Sequence, residues 1–184
     1  VCGVLQALGY LDDEGLTVSD SGRVLARIYG ELDLVTAQCV VDGVFDGLSA
    51  PQLAAVLSGL VYQARATDGR RPVRMPDGRS EAAQVRLRKV WRDVGVVERD
   101  YRVDRGPEPD IGFAEAAHAW AAGSDLADVL NISGLPAGDV VRWIRQVIDI
   151  AGQVADAAGS GPLRATCREV VAGMRRGVVD VFEQ

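Results

Sequence analysis

The side chains that most often carry catalysis are scarce in this chain of 184 residues, and the scarcity narrows what it can do. Of its 20 basic residues 19 are arginine, and the only lysine, Lys89, lies in Arg88-Lys89-Val90 with no glycine loop ahead of it. A Gly-x-x-x-x-Gly-Lys-[Ser/Thr] loop that cradles nucleotide phosphates therefore cannot form. There is one histidine, His118, so no His-x-x-x-His zinc pair exists and a Ser/His/Asp triad would have to be built around that residue alone. A half-buried, non-catalytic histidine is the simpler expectation. Cys2, Cys39 and Cys167 are odd in number and far apart, which points to neither a disulfide framework nor a metal cluster. Cys39 and Cys167 are expected to be reduced thiols buried among apolar neighbours. Neither enzyme chemistry nor a cofactor is expected within this chain.

Arginine is then the residue type left to act, and its placement is uneven. The net charge of −6 argues against an autonomous, non-specific nucleic-acid binder, since such domains are usually basic. Residues 1–64 carry 2 basic and 8 acidic groups, residues 65–105 carry 12 and 7, and residues 106–184 carry 6 and 11. One basic belt lies between acidic flanks. It is either a solvated helix face with a mobile loop or a surface that meets phosphates.

The elements that must position these groups are mostly helical. About 48% of residues are apolar and 25% charged, enough for one sizeable core or two small ones. No run approaches the roughly 20 apolar residues of a membrane-spanning helix, and no signal sequence is apparent, so a cytoplasmic protein is expected. Val1, Val4, Leu5 and Leu8 have the spacing of a helix face and begin with no methionine and no cap, the pattern of a piece cut from a longer polypeptide. Asp12 to Gly15 form a turn, Leu16-Thr17-Val18 a short strand, and Ser19 or Asp20 caps a helix through Tyr29. Helix, wing-like turn and helix are consistent with the end of a winged-helix unit or with a small α+β linker piece.

From residue 31 the periodicity is that of helices. Leu34, Ala37, Val41, Val44 and Leu48 form one stripe. Ser49, Pro51 and Gln52 make a capping box for a second helix, whose buried face is Leu53, Val56, Leu57, Leu60 and Val61 and whose polar end carries Gln63 and Arg65. Residues 66–80 hold two Asp-Gly pairs and two prolines and are expected to be a mobile loop. Ser80 caps a third helix with Leu87, Val90, Trp91 and Val94 inward and Arg86, Lys89 and Arg92 outward. Asp104 to Pro109 break the chain again before a helix from about Asp110 to Ala122. A short helix from Ser124 and a turn at Ile132 to Pro136 lead to a long helix from about Gly138 to Ala158.

In that long helix Val140, Trp143, Ile144, Val147, Ile150, Ala151, Val154 and Ala158 make a broad apolar side. Arg142, Arg145, Gln146, Asp149, Gln153 and Asp156 line the other. Basic residues near the N-terminus and acidic ones later oppose the helix dipole, a small cost of a few tenths of a kcal/mol per charge. A partner phosphate or carboxylate would explain Arg142 and Arg145; pairing along the helix, such as Arg145 with Asp149, would explain them equally. The tight turn before it also fits a helix-turn-helix that reads a DNA major groove. The last helix, Pro162 to Phe182, places Leu163, Cys167, Val170, Val171, Met174, Val178 and Phe182 on one face, with Arg164, Arg168, Arg175 and Arg176 away from it.

Gly22-Arg23-Val24-Leu25-Ala26-Arg27-Ile28-Tyr29-Gly30-Glu31, Gly43-Val44-Phe45-Asp46-Gly47-Leu48, Leu53 to Tyr62, Trp120-Ala121-Ala122-Gly123 and Gly138 to Val147 together resemble the C-terminal region of superkiller-type DExH RNA helicases. The resemblance runs in order over essentially the whole chain and is nearest to actinobacterial HelY-type helicases; the region is called the DSHCT domain. It implies a mainly α fold, a helical bundle over 31–184 preceded at 1–30 by the end of a winged-helix-like segment. It further implies that ATP and Mg belong to RecA-like motor domains of the same polypeptide, outside this chain. The bundle would close a channel over those motor domains and touch single-stranded RNA through a ratchet helix. Matched by motif, that helix starts at Gly138, with Arg142, Arg145 and Gln146 on its strand-facing turn and Gln63 and Arg65 as a second contact. The sequence differs from relatives that carry a carboxylate beside that arginine, having Ala64, and from those with arginine at the place of Gln146. A duplex-DNA-binding module and a pure protein-docking domain are the alternatives.

Overall fold

Side-chain caps set the starts of four of the helices. The computed structural model describes residues 2–12, 14–15, 17–65 and 72–181, and among the described residues it contains nine α-helices and no named strand. They are α1 (Cys2–Ala7), α2 (Asp20–Leu25), α3 (Asp33–Val41), α4 (Ala50–Val61), α5 (Gly78–Asp100), α6 (Ala114–Ala121), α7 (Leu126–Ser133), α8 (Ala137–Ala157) and α9 (Pro162–Met174). The mainly α bundle is the expected fold class. Ser19 accepts from the Gly22 N–H at the start of α2, and Asp125 from the Asp128 N–H at the start of α7. At α4 the reciprocal box of Ser49 and Gln52 is complete, so two amides that would otherwise lack partners are satisfied.

α4 forms the centre because nothing on it asks for water. Leu53 through Leu60 are all buried, and a helix apolar on every side must be wrapped by others. Ser58, within this run, satisfies its hydroxyl by donating to the Ala55 carbonyl at 2.7 Å. α5, α6, α8 and α9 pack around α4. α8 turns Val140, Ile144, Val147, Ile148, Ile150, Ala151, Val154 and Ala155 into the same core, and Cys39 and Cys167 are fully buried in it.

Several boundaries differ from the periodicity, each for a local reason. α5 is capped by Asp77, whose carboxylate accepts from the Arg79 and Ser80 N–H groups, and Ser80 is the returning partner of that box. α3 ends at Val41, so the stripe through Leu48 is not one helix face; Val35, Thr36 and Cys39 are buried while Val41 is 44% exposed. α2 stops at Leu25. The wing-like turn closes with a single antiparallel bridge between Leu11 and Val18; Leu16 lies outside the described residues. α9 ends at Met174 and is followed by a 3-10 turn, Gly177–Val179. Arg176 then folds back, its guanidinium 3.6 Å from the Trp120 ring centroid, donating to the Trp120 and Ser124 carbonyls at 2.8 and 2.6 Å. It therefore does not point away with Arg164 and Arg168. Val1, residues 66–71 of the expected mobile loop, and Phe182 also lie outside the described residues. Residues 2–30 share the core of the bundle through Tyr10 and Ile28, and the Tyr10 hydroxyl donates to Gln38 at 2.8 Å.

Candidate nucleic-acid interface

The geometry of the site begins at the end of α4. Tyr62 caps that helix in an extended conformation. Its buried ring stacks on Phe113, centroids 5.8 Å apart, and meets the Trp143 ring edge-on at 5.0 Å. Such aromatic packing fixes direction as well as burying area. Gln63 and Arg65 thus belong to an extended segment that runs over α8, and not to the last turn of a helix. Asp110 pins this segment. One of its carboxylate oxygens accepts from the Ala64 N–H at 2.9 Å and the other from the Gly112 N–H at 2.8 Å. Its own N–H donates to the Gly59 carbonyl at 3.1 Å.

Four of the five expected contact residues come together here. Arg65 and Arg142 share one carboxylate, that of Asp139, at 3.6 and 3.2 Å. The Arg142 guanidinium also lies 4.6 Å from the Trp143 ring centroid. Gln63 and Gln146 line a single cleft of about 440 Å³, which they share with Tyr29, Glu31, Asp33, Asp149 and Gln153. Gln153 closes one end by accepting from the Tyr29 N–H at 2.8 Å. Arg145 stands on the other edge of α8, where it donates to the Val179 carbonyl at 3.1 Å and lines a separate cleft of about 180 Å³ with Ile148, Asp149, Arg175, Val179 and Asp180.

The electrostatics of the two parts are opposed. The Arg65 and Arg142 guanidiniums are about half exposed and balanced by Asp139, whereas the cleft is lined by Glu31, Asp33 and Asp149 with no cation among its lining residues. Arginine guanidiniums suit phosphate oxygens. The glutamine amides, each with donors and an acceptor, have the chemistry to meet base edges, and the carboxylates that of repelling anions. Arg142 and Asp139 are also an i,i+3 pair, so pairing along the helix does account for part of this arginine's environment. Asp139, Asp110 and Tyr62 were not evident as positioning residues. Only Asp139, one turn ahead of Arg142, left a readable sign.

The other chemistry-bearing side chains sit apart. His118 is about one-third exposed and lies 3.9 Å from the Asp77 carboxylate. Burial pushes the Cys167 thiol up to about 12 and raises that of Cys39 further. Among the described residues no cluster of three or more His, Cys, Asp or Glu could hold a metal ion, and no helix is long and apolar enough to cross a membrane.

A family model described as the DSHCT (NUC185) domain matches residues 15–182. The chain is 40% identical over 174 residues to the "Probable helicase HelY" of Mycobacterium tuberculosis, covering 89% of this chain and 19% of that protein. It is 29% identical to a DExH-box ATP-dependent RNA helicase of Arabidopsis thaliana, with 96% of this chain and 18% of that protein covered. It is 28% identical to the human Superkiller complex protein 2, with 96% and 14% covered. The chain therefore spans about a fifth or less of the length of these curated relatives.

Proposed function

The chain belongs to the DSHCT domain family, and on that premise we propose that it is the C-terminal accessory domain of an ATP-dependent DExH RNA helicase. In this reading it closes the RNA channel over RecA-like motor domains of the same polypeptide and contacts single-stranded RNA, while ATP and Mg stay with the motor domains. The observation that carries it is the convergence of Arg142 and Gln146 from α8 with Gln63 and Arg65 from the segment after α4. Such a surface grips a strand through phosphates and base edges with little sequence preference, which suits a passive clamp that holds RNA between motor steps.

A helix-turn-helix that reads duplex DNA fits the same residues less well. α8 gives one whole side to the bundle core, and its outer stripe carries Asp139, Asp149 and Asp156 beside Arg142. The test is a helicase that contains this domain and carries Gln63→Ala, Arg142→Ala and Gln146→Ala together. Each lost contact is worth about 1 kcal/mol, so unwinding of a tailed RNA duplex should fall at least about tenfold with ATP hydrolysis retained. Full unwinding by that variant would overturn the proposal. Arg145→Ala alone should act mainly on stability, because its guanidinium holds the Val179 carbonyl.

A further inference from the structure

The basic belt of α5 takes no part in the α8 interface: α5 packs on α3 and α4, and none of its arginines lines the α8 cleft. Most of the belt is engaged internally. Arg86 donates to the Asp42 and Gly43 carbonyls at 2.9 and 3.2 Å, Lys89 pairs with Asp93 at 2.6 Å, and Arg88 lies 3.7 Å from Glu108. Arg92, Arg99 and Arg102 are exposed, and among the described residues they have neither an ion pair nor a hydrogen-bonded side-chain partner. Arg99 and Arg102 line a cleft of about 520 Å³ with Gly95, Val103, Asp104 and Arg105. Arg105 is locked in place, flat on the Trp91 ring at 3.3 Å from its centroid. Gly95 makes room for it, since a Cβ there would collide with the guanidinium.

Arg102 is the telling residue. It is the only non-glycine with positive φ, 55°, among the described residues. It ends α5 in a Schellman arrangement, with the Val103 N–H donating to Glu98 at 2.8 Å and the Arg102 N–H to Arg99 at 3.0 Å. That position ordinarily holds glycine, because an L side chain is strained there. The helix dipole does not require an arginine at this place, as Arg99 already puts a cation in the last turn. The strained backbone holds an exposed, unpaired guanidinium at the mouth of the cleft.

We propose that the cleft at the C-terminal end of α5 binds the phosphodiester backbone of a nucleic-acid strand, at a second place on the molecule distinct from α8. Arg92 and Arg99 stand seven positions, about 10 Å, apart along α5, and Arg102 follows just beyond its end, a spacing suited to a repeated anion more than to one carboxylate. Val96 and Tyr101 are 47% and 50% exposed; the Tyr101 ring rests partly on Gly3 of α1, and what both leave exposed is apolar surface on which a base can rest. Asp104 in the cleft keeps the grip weak enough to release. The proposal does not depend on the reading of α8.

The experiment follows binding of a labelled uridine oligonucleotide to the chain by fluorescence anisotropy, between about 50 and 200 mM salt. Arg92→Gln with Arg99→Gln should weaken binding about tenfold at low salt and reduce the log–log salt slope by about 1.4, about 0.7 per phosphate. Arg102→Gly should weaken binding about threefold while leaving Tm unchanged or up to about 4 °C higher, a combination that a structural role does not give. Failure of the chain to bind, or unchanged binding in these variants, overturns the proposal. So does a fall in Tm for Arg102→Gly with binding intact, or displacement by polyglutamate as effective as by RNA, which would make the partner an acidic protein. If Arg142→Ala with Gln146→Ala leaves binding unchanged while the α5 variants weaken it, the α8 reading fails and this one stands.

Discussion

Asp139 holds two of the arginines assigned to RNA, so replacing it separates a binding role from a structural one. Its carboxylate is about one-quarter exposed and lies 3.6 Å from Arg65 and 3.2 Å from Arg142, whose side chains are about half exposed. Pairs of that exposure contribute about 0.2–1 kcal/mol each. A carboxylate in the first turn of α8 adds about 0.3–1 kcal/mol through the helix dipole. Asp139→Asn should therefore cost about 1–2 kcal/mol and lower Tm by about 3–6 °C. At the same time it removes one ion-pair partner from each of two guanidiniums and takes away a competing anion. Single-stranded RNA should bind several-fold more tightly at low salt, with a salt slope steeper by about 0.7–1.4, as read by anisotropy and thermal melting on the same preparation. Weaker binding, or a slope that does not change, would refute the reasoning, because it would mean that Asp139 is needed to aim the arginines and does not compete with the strand.

Three further outcomes follow from the packing. The Ser80 N–H, ahead of the Gln52 side chain and the Arg79 N–H, holds the Asp77 carboxyl below the usual aspartate range. A lowered native value means stability that is present above about pH 4 and lost as pH falls toward that value; Asp77→Ala should cost about 1 kcal/mol at pH 7, with the gap to the unaltered chain narrowing below about pH 4 in urea titrations. Thiol titration of the native chain near pH 8 should find one reactive group, the exposed Cys2, and all three cysteines only after unfolding. Arg176→Ala should cost about 2–4 kcal/mol, since two carbonyls lose a charged donor and Trp120 loses its stacked guanidinium. Arg176→Lys should recover little of this, because an ammonium cannot reproduce the planar fork.

The sequence displayed what depends on local rules. The Ser49–Gln52 box, the apolar run of α4 and the two-sided pattern of α8 are set by residues within a few positions of one another, and the structure has them as expected. Long-range partners were not legible. Nothing near Arg176 in the chain announces Trp120 and Ser124, more than fifty residues earlier. Nothing near Ala64 announces the carboxylate of Asp110. Ser80 has the residue type of a cap, but Asp77, three residues ahead, starts the helix earlier by offering its carboxylate to the Arg79 and Ser80 amides. Helical periodicity placed Arg142, Arg145 and Gln146 on one side of α8. It could not show that the 3-10 turn after α9 would hold Arg145 at one edge while Gln63 joined Gln146 at the other.

Photo-crosslinking of a thiouridine-labelled single-stranded RNA to the chain, with mapping of the adducts by mass spectrometry, tests the clamp most directly. The account predicts adducts in residues 62–65 and in the Arg142 to Gln146 stretch of α8, lost when Arg142 and Gln146 are both replaced by alanine. Adducts confined to other segments, with neither of these two labelled, would contradict it.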